Sequence, residues 1–245
     1  MTAEKNIIPI LSRSVAVLEY IAAHPGRVTQ SELIAALKIP QATCYRIVAT
    51  LVAAHWLDRS ADRTYDIAPG VAAVGRKAEL RLEKFRHLQP VLEHLARKVG
   101  YSVKFSIRDG ADQLNVASAK APWDVALTAA PGTRCPLDGG GSVATVILAS
   151  LTAAERREML KSAPEKRRID TAVAAFRRDG FSLNPASPRS GEKPAVDALS
   201  VPVTKKRRLA GVLTLLSMPG ELARADLEPL VRELAAAAKF CGSNL

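Results

Sequence analysis

Three consecutive glycines, Gly139, Gly140 and Gly141, lie between Asp138 and Ser142 and have the composition of an anion-binding loop. Glycine exposes its backbone N–H groups, and a helix that begins at Ser142 would add the positive end of its dipole, so that the loop could hold a carboxylate or a phosphate. The loop is not a Walker motif, because no Gly-Lys-Ser/Thr follows it. A plain turn before a capped helix explains the same residues, since Gly and Ser are common turn formers, and the residues alone leave both interpretations open.

Residues 41–53 predict a helix with one apolar side and one trimmed side. The apolar side comprises Cys44, Ile47, Val48 and Leu51. Opposite them lie Ala42, Arg46, Ala49 and Ala53, with Gln41 and Tyr45 on one flank and Thr43 and Thr50 on the other. Small side chains let a helix approach the wall of the DNA major groove, where Arg46 can reach a phosphate or a guanine edge. The pattern therefore predicts DNA contacts from Gln41, Ala42, Thr43, Tyr45 and Arg46.

The other reactive side chains show no catalytic or metal-binding pattern. The cysteines, Cys44, Cys135 and Cys241, are odd in number and far apart, which argues against a disulfide framework and a zinc site. His87 and His94 are seven residues apart, whereas paired ligands on a helix are normally four apart. Cys135 lies near the glycines but has no identifiable base. We therefore expect no catalytic residue, no metal and no cofactor.

The segments before residue 41 predict two further helices. Pro25-Gly26 ends the first helix, which begins near Ser12. Its predicted buried face comprises Val15, Leu18, Ile21 and Ala22. Thr29 and Glu32 form a capping box for the second helix, and Pro40 suits the first turn of the third.

Residues 57–67 alternate in polarity on both sides of the turn 60–63 and predict a hairpin. Three helices followed by a hairpin form a winged helix-turn-helix, in which the third helix enters the major groove. Arg59 and Arg63 of the wing would then meet the DNA backbone or the minor groove. Thr29, at the start of the second helix, is included in the same predicted DNA-binding surface.

Two alternatives remain open from the pattern alone. A three-helix module with a hairpin can also serve as a protein-interaction domain. Tyr45 can either pack through its ring or touch a phosphate through its hydroxyl, because tyrosine has an apolar body and a polar tip.

Residues 76–98 predict a mostly helical linker, and the chain beyond it predicts strands and helices. The apolar residues of the linker that could pair with the same helix of a second subunit are Leu80, Leu82, Phe85 and Leu88. Hairpins are predicted around Asp109-Gly110 and around residues 205–208, with helices between and after them, which indicates an α+β fold with an antiparallel sheet backed by helices. Ser200 and Thr214 are polar residues in apolar strands, and they could line a pocket or face solvent at an edge.

Motifs along nearly the whole chain resemble those of the IclR family of bacterial transcriptional regulators. The N-terminal ones are SRSVAVL, TQSEL, PQATCYRIVATL and YDIAPG, and the later ones are PGTRCPLDGGGSVATVILASL, AAFRRDGFSLN and ALSVPVTKKRRLAGVLTLL. The resemblance implies a winged helix-turn-helix DNA-binding domain (1–75), a linker helix (76–98) and a GAF-like effector-binding domain (99–245). It also implies that the Gly139–Gly141 loop and Ser142 border the effector cavity, with Ser200 and Thr214 on the opposing wall. The implied partners are operator DNA, a small organic effector, most simply a carboxylate, and further copies of the chain in a homodimer or homotetramer.

The sequence departs from the family pattern at three places. Lys38 stands where the family usually has a glycine that ends a helix in the left-handed conformation. Ala42 stands where a serine is frequent. PASPRSGEKP, residues 185–194, replaces an acidic stretch.

The chain has 245 residues and a formal net charge of +11, which suits a polyanionic partner. The surplus is not concentrated in the predicted DNA-binding domain, because residues 1–75 hold 7 Lys and Arg against 6 Asp and Glu. No apolar run approaches the roughly 20 residues of a membrane span, so we expect a cytoplasmic protein. The near-neutral first domain and Ala42 slightly favour an alternative function, a small-molecule sensor that acts through protein partners and whose helix-turn-helix does not read DNA.

Overall fold

The computed structural model describes residues 8–24, 28–83, 85–124, 126–127, 129–184 and 196–245, with the backbone alone for residues 77–82. The chain divides into two compact units, Met1–Arg81 and Leu82–Leu245. Among the described helices, none is both long and apolar enough to cross a membrane.

The first unit is a winged helix-turn-helix, as predicted. Its elements are α1 (Pro9–Ala23), β1 (Val28–Thr29), α2 (Gln30–Leu37), α3 (Gln41–Ala53), β2 (Leu57–Arg59) and β3 (Thr64–Ile67). The strands form an antiparallel sheet in the order β1-β3-β2. Strand β1 was not predicted, because two residues are too few to show an alternating pattern.

The core of the first unit contains the predicted apolar side of α3. Its buried residues include Val17, Ile21, Leu33, Cys44, Ile47, Val48, Leu51, Leu57 and Tyr65. On α1 the prediction was partly wrong, because Val15 is 53% exposed and Ala22 is also exposed. Val15 and the buried Val17 lie about 200° apart around the helix axis, so apolar residues on both sides of α1 made the pattern ambiguous.

The turn between α2 and α3 passes through Lys38, which adopts the left-handed conformation with φ 51° and ψ 41°. Lys38 thus has the backbone conformation that a glycine adopts most easily. The turn therefore keeps the left-handed conformation without a glycine, and Lys38 carries the strain.

The second unit is built on one six-stranded sheet. Helix α4 (Gly70–Glu83) contains the division between the units. The elements that follow it are α5 (Gln89–Val99), β4 (Ser102–Asp109), β5 (Asp112–Ala119), β6 (Arg134–Pro136), α6 (Ser142–Ala149), α7 (Ala153–Met159), α8 (Lys166–Asp179), β7 (Ser182–Asn184), β8 (Asp197–Lys205), β9 (Arg208–Ser217) and α9 (Leu227–Asn244). The strand order is β6-β5-β4-β9-β8-β7, and every pairing is antiparallel. This confirms the predicted α+β fold, while the short edge strands β6 and β7 were not predicted.

The two faces of the sheet lie in different cores. One face packs with α5 and α9, and its buried residues include Val103, Phe105, Leu199, Val201, Leu213 and Leu215. The other face carries Val212, which packs with α6 and α8 in a second core. Because successive residues of a strand point to opposite faces, Lys104, Ser200 and Thr214 also belong to the face toward α6.

The predicted intersubunit pairing of the linker was wrong for two of its four residues. Phe85 and Leu88 are buried in the core of the second unit, where the Phe85 ring lies 5.8 Å from that of Phe105. They are therefore unavailable to another subunit. The side chains of Leu80 and Leu82 lie outside the described part of the chain, as do Pro25-Gly26 and the segment 185–194.

Candidate nucleic-acid interface and effector site

The trimmed side of α3 lies in solvent. Gln41, Ala42, Arg46 and Ala49 are exposed, while Cys44, Ile47, Val48 and Leu51 are buried on the opposite side. Thr43 is half-buried on the flank. The Thr50 hydroxyl donates to the Arg46 carbonyl oxygen at 2.7 Å, so it is engaged with the helix backbone. We call the surface formed by Gln41, Ala42, Tyr45, Arg46 and Ala49 the exposed ridge. The alanines keep it narrow, and Arg46 is its single charged side chain.

Tyr45 also belongs to this exposed ridge. The residue is 63% exposed, so it does not pack into the core of the first unit. Its phenol hydroxyl is free to meet an external acceptor such as a phosphate oxygen. The exposure argues against the packing role, and contact with a phosphate stays a prediction.

Thr29 positions α2 through a complete capping box. Its hydroxyl accepts from the Glu32 backbone N–H at 3.3 Å, and its own backbone N–H donates to Glu32 Oε2 at 2.6 Å. These backbone and side-chain hydrogen bonds lower the pKa of Glu32. The Thr29 hydroxyl also donates to Glu32 Oε2 at 2.9 Å, so both donors of Thr29 are engaged in the capping box. A direct contact of Thr29 with DNA remains a prediction.

The wing carries the two predicted arginines in exposed positions. Arg59 ends β2, and Arg63 lies in the β2–β3 turn with a left-handed φ of 61°. The turn is closed by Arg63 N–H donating to the Ser60 carbonyl oxygen at 3.0 Å. Both arginine side chains are exposed and can thus contact a polyanion directly.

Three of the predicted effector residues, far apart in sequence, meet in one buried hydroxyl cluster. Ser200 Oγ donates to Ser142 Oγ at 2.8 Å and shares a second hydrogen bond of 2.8 Å with Thr214 Oγ1. All three side chains are buried. Ser200 and Thr214 are direct partners in the β8–β9 ladder, and Ser142 is the first residue of α6. The alternative of hydroxyls that face solvent at an edge is therefore wrong.

The glycine loop leads into α6 without a side-chain cap. Gly141 is the N-cap residue with φ 96°, and Gly140 has φ 75°, conformations that favour glycine. Gly139 has an ordinary φ and open space around it. The predicted alternative of a capped helix is wrong, because the Ser142 hydroxyl bonds Ser200 rather than the helix backbone. The first N–H groups of α6 therefore remain available beside the hydroxyl cluster.

The space at the glycine loop is small in this structure. A cleft of about 30 Å³ lies between α6, α8 and β7, lined in part by Gly140, Gly141 and Arg168. Arg168 Nη2 would be 3.3 Å from a Cβ added at Gly140, and the same guanidinium pairs with Glu165. Such a cleft holds about two water molecules. An organic acid would need α8 or the Arg168 side chain to move.

Sequence reasoning missed polar residues on the same sheet face. Lys104 pairs with Thr214 in the β4–β9 ladder, and Ser106 and Asn115 are buried partners in the β4–β5 ladder. The signal was present in β4, where Ser102, Lys104 and Ser106 alternate with Val103 and Phe105. That alternation marks one polar face of a strand.

The comparisons with known proteins agree with both units. The sequence profile of the IclR helix-turn-helix domain matches residues 10–61, and that of the bacterial transcriptional regulator IclR C-terminal domain matches residues 80–239. This chain belongs to the IclR family of bacterial transcriptional regulators. Two transcriptional regulators have sequences similar to this chain. It is 28% identical to the HTH-type transcriptional regulator KipR of Bacillus subtilis over 135 residues, 55% of this chain and 54% of KipR. It is 22% identical to the Probable transcriptional regulator SauR of Cupriavidus necator over 230 residues, 89% of this chain and 88% of SauR.

The chain thus spans about half of KipR but most of SauR. As an IclR-family protein it is a DNA-binding transcriptional regulator and not an enzyme.

Solved structures of IclR proteins share the fold. An IclR homolog from Microbacterium hydrocarbonoxydans, complexed with 4-hydroxybenzoate, matches with a TM-score of 0.71 and 19% identity over 96% of this chain and 98% of that one. An IclR transcriptional regulator from Alicyclobacillus acidocaldarius matches with a TM-score of 0.70 and 21% identity over 97% and 99% of the two chains. At these identities the likeness concerns the fold.

Proposed function

We propose that this IclR-family protein binds operator DNA as a homodimer through α3 and the wing, and that a small organic carboxylate in its second unit changes its operator affinity. The observation that carries the DNA-binding part is the orientation of α3. The helix buries its apolar side and leaves Gln41, Ala42, Tyr45 and Arg46 in solvent.

The exposed ridge of α3 suits the major groove in shape and chemistry. Ala42 and Ala49 keep it narrow, so that Arg46 can reach the base edges and pair with a guanine through two N–H groups. Tyr45, Arg59 and Arg63 would contact phosphates, which position the protein without reading the sequence. A homodimer would present two such ridges to half-sites separated by about one helical turn or a multiple of it. A homotetramer would combine two such dimers.

The buried hydroxyl cluster supports an effector site in the second unit. Ser142, Ser200 and Thr214 offer hydroxyl groups beside the uncapped start of α6, which favours an anionic ligand. A carboxylate is the simplest organic anion that such hydroxyl and N–H groups can bind. The relative from Microbacterium hydrocarbonoxydans was solved with 4-hydroxybenzoate, which is also a carboxylate.

Effector and operator would be coupled through two arrangements of the protein. A ligand that binds one arrangement more tightly shifts the population toward it, and typical coupling free energies are about 1–3 kcal/mol. The domains of this proposal are a DNA-binding domain (1–75), a linker (76–98) and a GAF-like effector domain (99–245). The linker is not one helix, because α4 ends at Glu83 and α5 begins at Gln89. A regulator of this kind would work beside the chromosome in the cytoplasm.

The decisive experiment is selection of genomic fragments by the purified full-length protein, followed by binding assays with the recovered operator. We expect a small set of related sites with two half-sites each. Ser200→Ala and Thr214→Val should weaken the response to a carboxylate that alters operator affinity, while the exposed Ser162→Ala should not. Recovery of fragments without any shared site would contradict the DNA-binding part.

The alternative, a small-molecule sensor that acts through protein partners, is favoured by two sequence features. Ala42 lacks the hydroxyl frequent at that position in the family, and residues 1–75 are close to neutral. In that case the selection recovers no specific site at low salt, whereas the effector variants still lose ligand binding.

A further inference from the structure

A row of polar side chains extends from the hydroxyl cluster across the sheet. In this row Ser182 pairs with Ser200, Ser200 with Thr214, and Thr214 with Lys104. Directly opposed residues of antiparallel strands point to the same face, with Cβ atoms about 4.5–5.5 Å apart. Lys104 is therefore a neighbour of the cluster on its β4 side.

Lys104 is half-buried and lacks a carboxylate partner among the described residues. No ion pair joins it to any Asp or Glu in that part of the chain. Burial lowers the pKa of Lys104, and the nearby Cys135 thiol opposes that effect only in part. A desolvated ammonium group without a counter-ion destabilises the fold, and a bound anion would offset that cost.

One step along the same face, three side-chain oxygen atoms are buried without a hydrogen-bond partner. They are Ser106 Oγ, Asn115 Oδ1 and Gln113 Oε1. Ser106 and Asn115 are ladder partners, and Gln113 is two residues from Asn115 and so on the same face. Buried polar atoms without partners are uncommon in native proteins, and a group of three on one surface is suited to binding a polar ligand.

The orientation of the Asn115 amide is set by its neighbours. Its Nδ2 donates to the carbonyl oxygens of Ala129 and Ala130, the latter at 2.9 Å. Its Oδ1 is therefore left as an acceptor on the inner side. Asn115 Oδ1 and Gln113 Oε1 can only accept, so a ligand group that satisfies them must carry an O–H or N–H.

We propose that Lys104, beside the Thr214 hydroxyl of the cluster, binds the carboxylate of the effector together with that cluster, and that Ser106, Asn115 and Gln113 select a ligand with a hydrogen-bond donor at its other end. The ligand class is thus a compact hydroxy acid or amino acid. Residues two apart on a strand are about 7 Å apart, so the charged and the donating groups should be separated by a similar distance. This inference rests on the proposed effector site and assigns its specificity to residues outside the hydroxyl cluster.

The test uses the full-length protein and a panel of hydroxybenzoates, aliphatic hydroxy acids and amino acids, each with its carboxamide and with the analogue that lacks the donor. Binding is measured by calorimetry to the wild type, to Lys104→Met and to the control Lys120→Met, which removes an exposed lysine just after β5. Methionine keeps the apolar stem of the lysine and removes its charge.

We expect at least one acid of the panel to bind the wild type and Lys120→Met, and to bind Lys104→Met about tenfold or more weakly. Its carboxamide should bind all three proteins equally weakly. Gln113→Met should reduce the preference for the donor-bearing acid over its donor-free analogue. Without ligand, Lys104→Met should melt at the wild-type temperature or above it, because a desolvated charge has been removed, and this shows that the variant folds.

Two results would overturn the inference: no acid in the panel binds the wild type, or the acid that binds does so equally well in Lys104→Met. Mobility-shift assays with the operator distinguish failure of this inference from failure of the proposed function. If the acid alters operator affinity in Lys104→Met as in the wild type, the assignment of Lys104 fails and the regulator stands. If it binds through Lys104 but leaves operator affinity unchanged, the site stands and the regulatory coupling fails.

Discussion

At the scale of single residues, Arg46 carries the sharpest expectation for DNA recognition. It is the one charged side chain on the exposed ridge of α3. Arg46→Ala should weaken operator binding by about 1–3 kcal/mol if the guanidinium reads a guanine. Mobility-shift titration at fixed salt measures this change.

The control for Arg46→Ala is Arg224→Ala, which removes an exposed arginine from the second unit. It lowers the net charge equally and should leave operator affinity nearly unchanged. Equal affinity of Arg46→Ala and wild type for the selected operator would exclude Arg46 from the interface. An equal loss on operator and unrelated duplex would assign it to a phosphate instead of a base.

Cys241 should make the stability of the second unit depend on alkaline pH. Burial raises the pKa of its thiol to about 11, above the ordinary value of about 8.5. Between these values the unfolded chain loses the proton and the folded chain keeps it, so the folded state binds more protons and the free energy of unfolding falls as pH rises. Urea unfolding between about pH 8 and pH 11 measures the slope.

Cys241→Ala should flatten that slope, although it also removes buried volume and lowers stability at every pH. Cys135→Ala, at an exposed thiol, should retain the wild-type slope. Identical slopes in wild type and Cys241→Ala would show that the thiol does not contribute to the pH dependence.

At the scale of elements, the turn between α2 and α3 stores strain that a single substitution can relieve. Lys38 caps α2 in the left-handed conformation, which costs a non-glycine residue about 1–2 kcal/mol. Glycine there relaxes the strain but loses more conformational freedom on folding, so Lys38→Gly should stabilise the first unit by about 0.5–1 kcal/mol. Hydrogen exchange of the amides of α3 reports the change.

Ala36→Gly is the matched control for Lys38→Gly, because Ala36 lies exposed within α2. Glycine at that position should destabilise the helix by about 1 kcal/mol. If both variants speed exchange in α3, the cap of α2 is not strained as its dihedral angles indicate.

At the scale of the whole molecule, homodimerisation makes a geometric prediction about the operator. A dimer should protect two patches on the duplex, with centres about 10.5 base pairs or a multiple of that apart. Hydroxyl-radical footprinting on the selected operator measures the spacing. A single protected patch, together with a monomer mass in sedimentation, would contradict the proposed dimer.

The sequence by itself determined the type and order of the main elements. The winged helix-turn-helix followed from a capping box at Thr29, a proline before α3 and an alternating hairpin, all of which act over a few residues. The apolar side of α3 followed from helical periodicity for the same reason. Along α1 that periodicity was ambiguous, because Val15 and Val17 are both apolar and only packing selects the buried one.

Only the tertiary structure decided which distant residues meet. The family resemblance placed Ser142 opposite Ser200 and Thr214 across a cavity, but their direct contact depends on the β8–β9 register and on the packing of α6 on the sheet. Neither is encoded in a local pattern. The same register places Lys104 beside Thr214 and leaves Ser106, Asn115 and Gln113 with unpartnered oxygens. Phe85 and Leu88 show the same limit, because their helical spacing fitted contact with a partner subunit as well as contact with their own unit. The structure buries both residues in the core of their own unit. Local propensities extend over a few residues, whereas strand register and burial depend on contacts between residues far apart in the chain.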